Sequence, residues 1–427
     1  MSSDKHVWHP FSVLPNTIEN LNIVDAKGLY VIDKNGNKYA DLISSWWVVL
    51  HGHSHPFIAS AIKKQVDSLC HVMFADFTHD PAINLAKMLC DILGGGLEHV
   101  FFADNGATSV EIAMKMAYQY HVNLGEKRTK FVSFTGSYHG ETFGAMSAGA
   151  SSGFFDLFTD LLIKTDFLPY PETYIGDSEI DQKEFEYLQI IDKYFAENSH
   201  EIIAFIFEPL VQGSVGMRMC RPQFLNEVMK IARKNNVIII FDEVMTGFGR
   251  TGKMFAMHHL NDSPDIICMS KGLSGGVLPI GATVCNDRIY NAFVSQNPAK
   301  IFMHGHSYMG NPICCSASIA SLELFAKEDT LNHIKKLEAI HLNGIKMLCE
   351  KFDFIEKPRV IGDIAAVTLK INAGYGSEIN KKIKQLGREQ GLILRPSGNV
   401  LYLMPPYCIT EDELFDAYKK IIIIIDK

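Results

Sequence analysis

Six short runs in the middle of the chain constrain the fold most: HVFFAD (99–104), KFVSF (130–134), IIAFIFEP (202–209), VIIIFDE (237–243), DIICMS (265–270) and GATVCN (281–286). They are apolar or small at consecutive positions, which leaves no polar face for water. Strands of this kind are stable when helices cover both faces, as in a parallel sheet. Helical periodicity recurs around them, at 56–70, 80–93, 106–121, 222–235 and 312–326. The alternation predicts an α/β fold with a mostly parallel central sheet. The chain ends read differently. Residues 29–43, LYVIDKNGNKYADLI, predict a β-hairpin turning at Asn35-Gly36. Beyond residue 320 a long helix precedes short strands at DIAAVTLKI and NVLYLMPP, and the isoleucines at 421–425 close the last element. The expected organisation is a large domain over 55–320 and a smaller α+β domain built from 1–54 and 321–427.

A formal charge of −8 disfavours nucleic acid and anionic membrane as partners, because both select basic faces. No apolar run reaches the ~20 residues of a membrane-spanning helix. The opening MSSDKHVWHP has no apolar core and is not expected to be a secretory leader. Nine cysteines, an odd number with no CxxC pair, read as a reduced set and predict a cytoplasmic location.

In a parallel α/β sheet, ligands sit at the C-terminal ends of the strands. The strand ends here carry Asp104, the segment TGSYHG, Glu208, Asp242 with Glu243, and Lys271. Several reactive groups on one sheet edge predict a common site. Lys271 closes a buried strand and precedes a glycine-rich loop. A buried ammonium is costly unless it is paired or loses its charge, so Lys271 is either a reagent or the first solvated residue after the strand. Gly106 opens a helix whose free amides suit a phosphate, although a plain capped helix would look the same. Period-2 alternation sends Glu243 away from Asp242, towards a structural role. Glu208 either faces the site or holds its loop.

Other patterns carry less. TGFGRTGKM (246–254) contains GxGxxG and nearly a P-loop, but Met254 stands where a magnesium-binding hydroxyl is needed and no clean helix follows. His51, His53 and His55, with His304 and His306, lack an acid or cysteine at ligand spacing. No metal is expected, and these histidines are read as loop structure. Trp46 and Trp47 suit core packing or an apolar ligand wall. In an extended segment they would face opposite ways. Arg395, between an apolar strand and a proline, suits a carboxylate because its planar fork takes both oxygens.

Gly106, Tyr138, Glu208-Pro209, Asp242-Glu243 and Lys271, in this order, resemble the fold-type-I pyridoxal phosphate enzymes. The stretch from IIIFDEVMTGFGRTGKM to DIICMSKGLSGG resembles the signature of the class III aminotransferases, and the similarity runs from WHPF to LMPPY. Within that family SSWW, SYHGETFGAMS, MHGHSYMGNP and RPSGNVLYLMPPY resemble the branch that serves biotin synthesis. The resemblance implies pyridoxal 5'-phosphate as cofactor, 8-amino-7-oxononanoate as amino acceptor and S-adenosylmethionine as donor. Lys271 would bond its neutral amine to the cofactor aldehyde and then move protons. Asp242 would pair with the ring nitrogen and Tyr138 would stack on the ring. Gly106, Ala107, Thr108 and Ser307 would hold the phosphate, with Ser307 coming from the second subunit of a homodimer that shares its active sites. Arg395 would bind the substrate carboxylate, and Trp46, Trp47, Gly305 and Tyr402 would line the substrate. The chain departs from the family pattern at Ala107, where a hydroxyl residue usually stands, and at Phe11, where a tyrosine often does. Alternatives are an ω-aminotransferase of the ornithine or 4-aminobutyrate type, lysine as donor, a cofactor-dependent aminomutase, or a cofactor-bound scaffold without turnover.

Overall fold

The structure, a computed structural model, describes residues 6–12, 20–374 and 376–426. Residues 1–5 of the opening segment and the final Lys427 lie outside the described residues. The centre is a seven-stranded sheet. In chain order its strands are β1 (Leu97–Ala103), β2 (Lys130–Phe134), β3 (Thr165–Leu168), β4 (Ile202–Phe207), β5 (Ile239–Asp242), β6 (Ile266–Met269) and β7 (Gly281–Asn286). Their order across the sheet is β1-β7-β6-β5-β4-β2-β3.

The apolar runs are buried throughout, as in β4, where every residue is buried. Alternate side chains still part company. Ile239 and Phe241 join a core on one face with Phe205 and Phe207, whereas Ile238 and Ile240 join a core on the other with Ile203 and Ile206. The pairings β5–β6, β5–β4, β4–β2 and β2–β3 are parallel. GATVCN differs from its expected companions: β7 runs antiparallel to both β6 and β1. The reason is the connection. The chain passes from β6 to β7 through a 3-10 turn at Lys271–Ser274 and a short loop, with no crossover helix to carry it back for a parallel return. The edge strand β3 was not anticipated, because its residues are only partly buried and include Asp166.

A further core gathers Leu29, Ala40 and Leu42 with residues drawn from 337–424. The hairpin forms as read: Tyr30–Asp33 pairs with Lys38–Asp41, and Gly36 takes φ +83° at the turn. The chain ends meet where Lys38–Asp41 pairs in parallel with Leu392–Ile393. The strands Ile364–Leu369 and Val400–Leu403 lie side by side, antiparallel, with the helix Glu378–Glu389 between them in the chain. The isoleucine run ends the helix Glu411–Ile425, whose start is a capping box between Thr410 and Glu413. All nine cysteines are free thiols. Among the described residues no helix is long and apolar enough to cross a membrane.

Candidate active site

The C-terminal edge of the sheet opens into a chamber of about 640 Å³ lined by Asp104, Tyr138, Glu208, Asp242 and Lys271. Each of these five strand ends therefore reaches one space. Asp242 ends β5, and its Oδ2 lies 2.7 Å from His139 Nδ1 while its Oδ1 accepts the Val244 amide at 3.0 Å. His139 is buried and its other ring nitrogen lies 3.3 Å from Ser133 Oγ. The carboxylate is thus fixed on both oxygens. Glu243 points the other way and accepts the amides of Ala256 and Met257, both at 2.7 Å, and the Thr246 hydroxyl at 3.2 Å. It anchors a neighbouring loop, in line with the alternation.

Lys271 follows Ser270 and takes φ +36°, a left-handed conformation seldom adopted by a side chain of this size. Burial holds its amine below the ordinary lysine range, and the Arg250 guanidinium pushes the same way; the carboxylates of Asp242 and Glu208 oppose both. Its Nζ stands 4.8 Å from the Trp47 ring centre. The glycines after it are explained by contact. A Cβ on Gly276, which has φ +83°, would collide with the Val48 carbonyl, so the loop can dock its backbone directly on the SSWW segment.

Glu208 does both things that the sequence left open. It lines the chamber, and its two oxygens accept the amides of Tyr138 at 3.1 Å and Gly213 at 2.9 Å. Burial pushes its carboxyl up to about 7; the nearby Asp242 adds to that, while His139 and the two amides oppose it. Tyr138 is held by a near-parallel Phe155 ring 5.7 Å away and by donating its hydroxyl to Glu141 at 2.7 Å.

The helix α1 (Gly106–Asn123) aims its N-terminus into the chamber. Asn105 caps it by accepting the Thr108 amide at 2.9 Å, which leaves Gly106 and Ala107, both on the chamber wall, with amides that no helical carbonyl can reach. A Cβ on Gly106 would come within 2.7 Å of Val244, so only glycine lets the helix start this close to β5. Thr108 itself is not on the wall of this chamber.

A second chamber of about 440 Å³ adjoins the first and is lined by Phe11, Trp46, Trp47, Arg395, Tyr402 and Phe154, among others. The opposite facing of the tryptophans applies only to an extended segment. Both Trp46 and Trp47 face this one space, because the segment is not extended. Ser44, Ser45, Trp46 and Trp47 all have φ between +46° and +74°, forming a left-handed turn closed by Trp47 N–H to Ile43 O at 2.8 Å and Val48 N–H to Ser44 O at 2.9 Å. Each such residue costs about 1–2 kcal/mol. The turn is held from outside: Ser44 Oγ donates to Met404 O and Ser45 Oγ to Asp41 Oδ2, both at 2.7 Å, and the buried Arg250 donates to Trp47 O and Val49 O, both at 3.3 Å. Trp47 Nε1 donates to the Tyr402 hydroxyl at 3.1 Å. The Arg395 guanidinium lies 4.3 Å over the Trp46 ring, which also meets Phe11 edge-on.

Gly305 and Ser307 stand apart from the rest. Both are exposed and line neither chamber of their own chain. His51, His53 and His55 each bond a different partner, Ser321, Asp41 and Glu328. TGFGRTGKM forms a turn around the buried Arg250, buried from Thr246 to Thr251 and reaching the surface at Lys253. His139, Arg250 and Ser214 escaped the sequence reading. His139 had a signal in its place directly after Tyr138 at a strand end; the other two had none.

The arrangement pairs a low-pKa amine, a fixed carboxylate and a phosphate-type helix terminus with an arginine-ended aromatic pocket. A family model described as aminotransferase class-III matches residues 14–425. An adenosylmethionine-8-amino-7-oxononanoate aminotransferase of Synechococcus elongatus is 46% identical over all of both chains. One from Helicobacter pylori is 38% identical over 99% of this chain and 96% of its own. The crystal structure of the Methanocaldococcus jannaschii enzyme of that name superimposes with a TM-score of 0.93 at 38% identity, covering 99% and 97% of the two chains. An amine transaminase from an uncultivated Pseudomonas species, in its PLP-bound form, gives 0.94 at 28% identity over 100% and 99%.

Proposed function

The chain belongs to the class III aminotransferases, and from that premise we propose that it moves an amino group from S-adenosylmethionine to 8-amino-7-oxononanoate, yielding 7,8-diaminononanoate for biotin synthesis. The full-length similarity to enzymes carrying that name supports the reading. The observation that carries it is the second chamber, an aromatic-lined space with both Lys271 and Arg395 on its wall. A long aliphatic acid with its reacting carbon remote from its carboxylate fits such a space.

The cofactor is pyridoxal phosphate, and the first chamber fits it. The amides of Gly106 and Ala107 would receive the phosphate, Asp242 the protonated ring nitrogen, and Tyr138 one ring face. Bound there, the group supplies an aldehyde for amine capture and a ring that takes up electrons from the reacting carbon. The chain does the rest. Asp242, fixed by His139 and the Val244 amide, keeps the ring nitrogen protonated. Lys271 Nζ, whose amine burial holds below the ordinary lysine range, would serve as the base that takes the proton from the amine-bearing carbon and the acid that gives it back in the 1,3-shift. Arg395 and the tryptophans set the substrate's depth and keep water from the reacting carbon.

Gly305 and Ser307, exposed and outside the walls of their own chambers, belong in this reading to the active site of a second copy in a cytoplasmic homodimer. The test supplies purified protein with 8-amino-7-oxononanoate and one donor at a time, S-adenosylmethionine, lysine or ornithine, and measures diamine by mass spectrometry. Diamine formed with S-adenosylmethionine supports the reading. Diamine formed only with lysine corrects the donor, and no diamine with any donor refutes the acceptor.

A further inference from the structure

The two chambers share five residues: Trp47, Val48, Tyr138, Ser214 and Lys271. Any substrate must present its reacting carbon at this common wall. The polar groups on it divide sharply. Trp47 donates its indole N–H to Tyr402 and Tyr138 donates its hydroxyl to Glu141. The Lys271 amine and the Ser214 hydroxyl have no hydrogen-bond partner among the described residues. Lys271 is uncommitted because it is the reagent. Ser214 is half-buried, and its hydroxyl opens onto the chambers it lines.

Nor is Ser214 on a loose loop. Its own carbonyl accepts the Ser397 hydroxyl at 3.0 Å. The preceding Gly213 donates to Glu208 at 2.9 Å, and the Met217 amide donates to Gly213 O at 3.1 Å. The buried Arg359 donates to Gly216 O at 3.0 Å and Met217 O at 3.1 Å. A Cβ on Gly216 would meet Val400 at 2.7 Å, so the loop is also packed. The other serines of the second chamber are spent: Ser45 on Asp41 and Ser397 on Ser214 O. A clamped backbone that presents one uncommitted hydroxyl on the wall it shares with the reactive amine is organised for a ligand atom before it arrives.

We propose that Ser214 is a specificity-determining residue whose hydroxyl bonds the substrate nitrogen on the carbon next to the one that reacts. The inference rests on the function proposed above. The acceptor carries an amine beside its ketone, and the product carries two adjacent amines. With the carboxylate at Arg395 and the reacting carbon at Lys271, the neighbouring nitrogen falls at the common wall, where Ser214 is the remaining polar group without a partner. A substrate without that nitrogen leaves the hydroxyl unmatched, and this discriminates against it.

The experiment follows the visible band of the holoenzyme as 7,8-diaminononanoate runs the reverse half-reaction, for the unaltered protein and Ser214→Ala. Nonanoate, which keeps the chain and carboxylate but has no nitrogen, is titrated into both as a competing ligand. Loss of one neutral hydrogen bond predicts a three- to tenfold rise in the diamine concentration for half-maximal bleaching. The inhibition constant of nonanoate and the intensity of the cofactor band stay unchanged. An unchanged diamine response, or equal weakening of diamine and nonanoate, overturns the role of Ser214. Failure of the diamine to bleach the unaltered protein instead overturns the substrate reading, and the inference falls with it.

Discussion

Asp363→Asn tests how the reactive loop is held. Arg250 and Asp363 are 1% and 0% exposed, and their Nη1–Oδ2 contact is 2.6 Å. Arg250 also donates to Pro405 O at 2.9 Å and to the carbonyls of Trp47 and Val49, and stands 4.9 Å over the Tyr407 ring. Neutralising Asp363 leaves a buried guanidinium with carbonyls alone, which costs about 3–5 kcal/mol. With an unfolding entropy of about 2.1 cal/mol/K per residue, a 427-residue chain has roughly 0.9 kcal/mol/K in all, so the transition should fall by about 3–6 °C. Calorimetry of the holoenzyme reads this directly. Because Arg250 also holds the Trp47 carbonyl, the variant should raise KM for the acceptor by loosening the left-handed turn. Arg250→Met with Asp363→Leu removes both charges and should be less destabilised than the sum of its single changes by at least about 2 kcal/mol. A shift below 1 °C for Asp363→Asn, or strict additivity in the double variant, would refute the reasoning.

Lys271→Ala should abolish turnover and the covalent visible band, yet still retain cofactor weakly through Gly106, Ala107 and Asp242; equilibrium dialysis checks the second half. Trp46→Ala removes the surface under the Arg395 guanidinium, a contact of about 1–2 kcal/mol, and should raise KM for the acceptor roughly 5- to 30-fold with a smaller effect on kcat. Glu208 has its carboxyl pushed up to about 7 from 4.5. The folded apoprotein therefore keeps a proton that the unfolded chain releases between those values. Stability falls as pH rises through that window, by about 3 kcal/mol in full. Glu208→Gln should flatten the decline in the melting temperature of the apoprotein between pH 5 and 8; an unchanged slope contradicts the assignment.

What the sequence made legible is what local pattern determines. Continuous apolar runs gave the sheet because nothing else can bury Ile202–Phe207 or Ile239–Phe241 on both faces. The ends of those runs gave Asp104, Tyr138, Glu208, Asp242 and Lys271, because a parallel sheet brings its strand ends to one edge. Period 2 alone separated Glu243 from Asp242. The failures share a different cause. The direction of β7 depends on the short link from Lys271 to Ile280, and its composition says nothing of that. The left-handed turn at Ser44–Trp47 contains no glycine, and it exists because Met404 and Arg250, from distant parts of the chain, hold it together with the neighbouring Asp41. Ser214 and Arg250 gain their meaning from partners more than a hundred residues away. Ser307 lies outside the walls of both chambers, a placement that its sequence context did not disclose.

The central claim is that Lys271 and the aromatic-lined space it shares with Arg395 serve a diamine with a remote carboxylate. The visible spectrum of the purified holoenzyme, recorded before and after one equivalent of 7,8-diaminononanoate with ornithine in parallel, tests it most directly. It runs the reverse half-reaction and assumes no donor. The account predicts that the diamine bleaches the band and ornithine does not; bleaching by ornithine alone would contradict it.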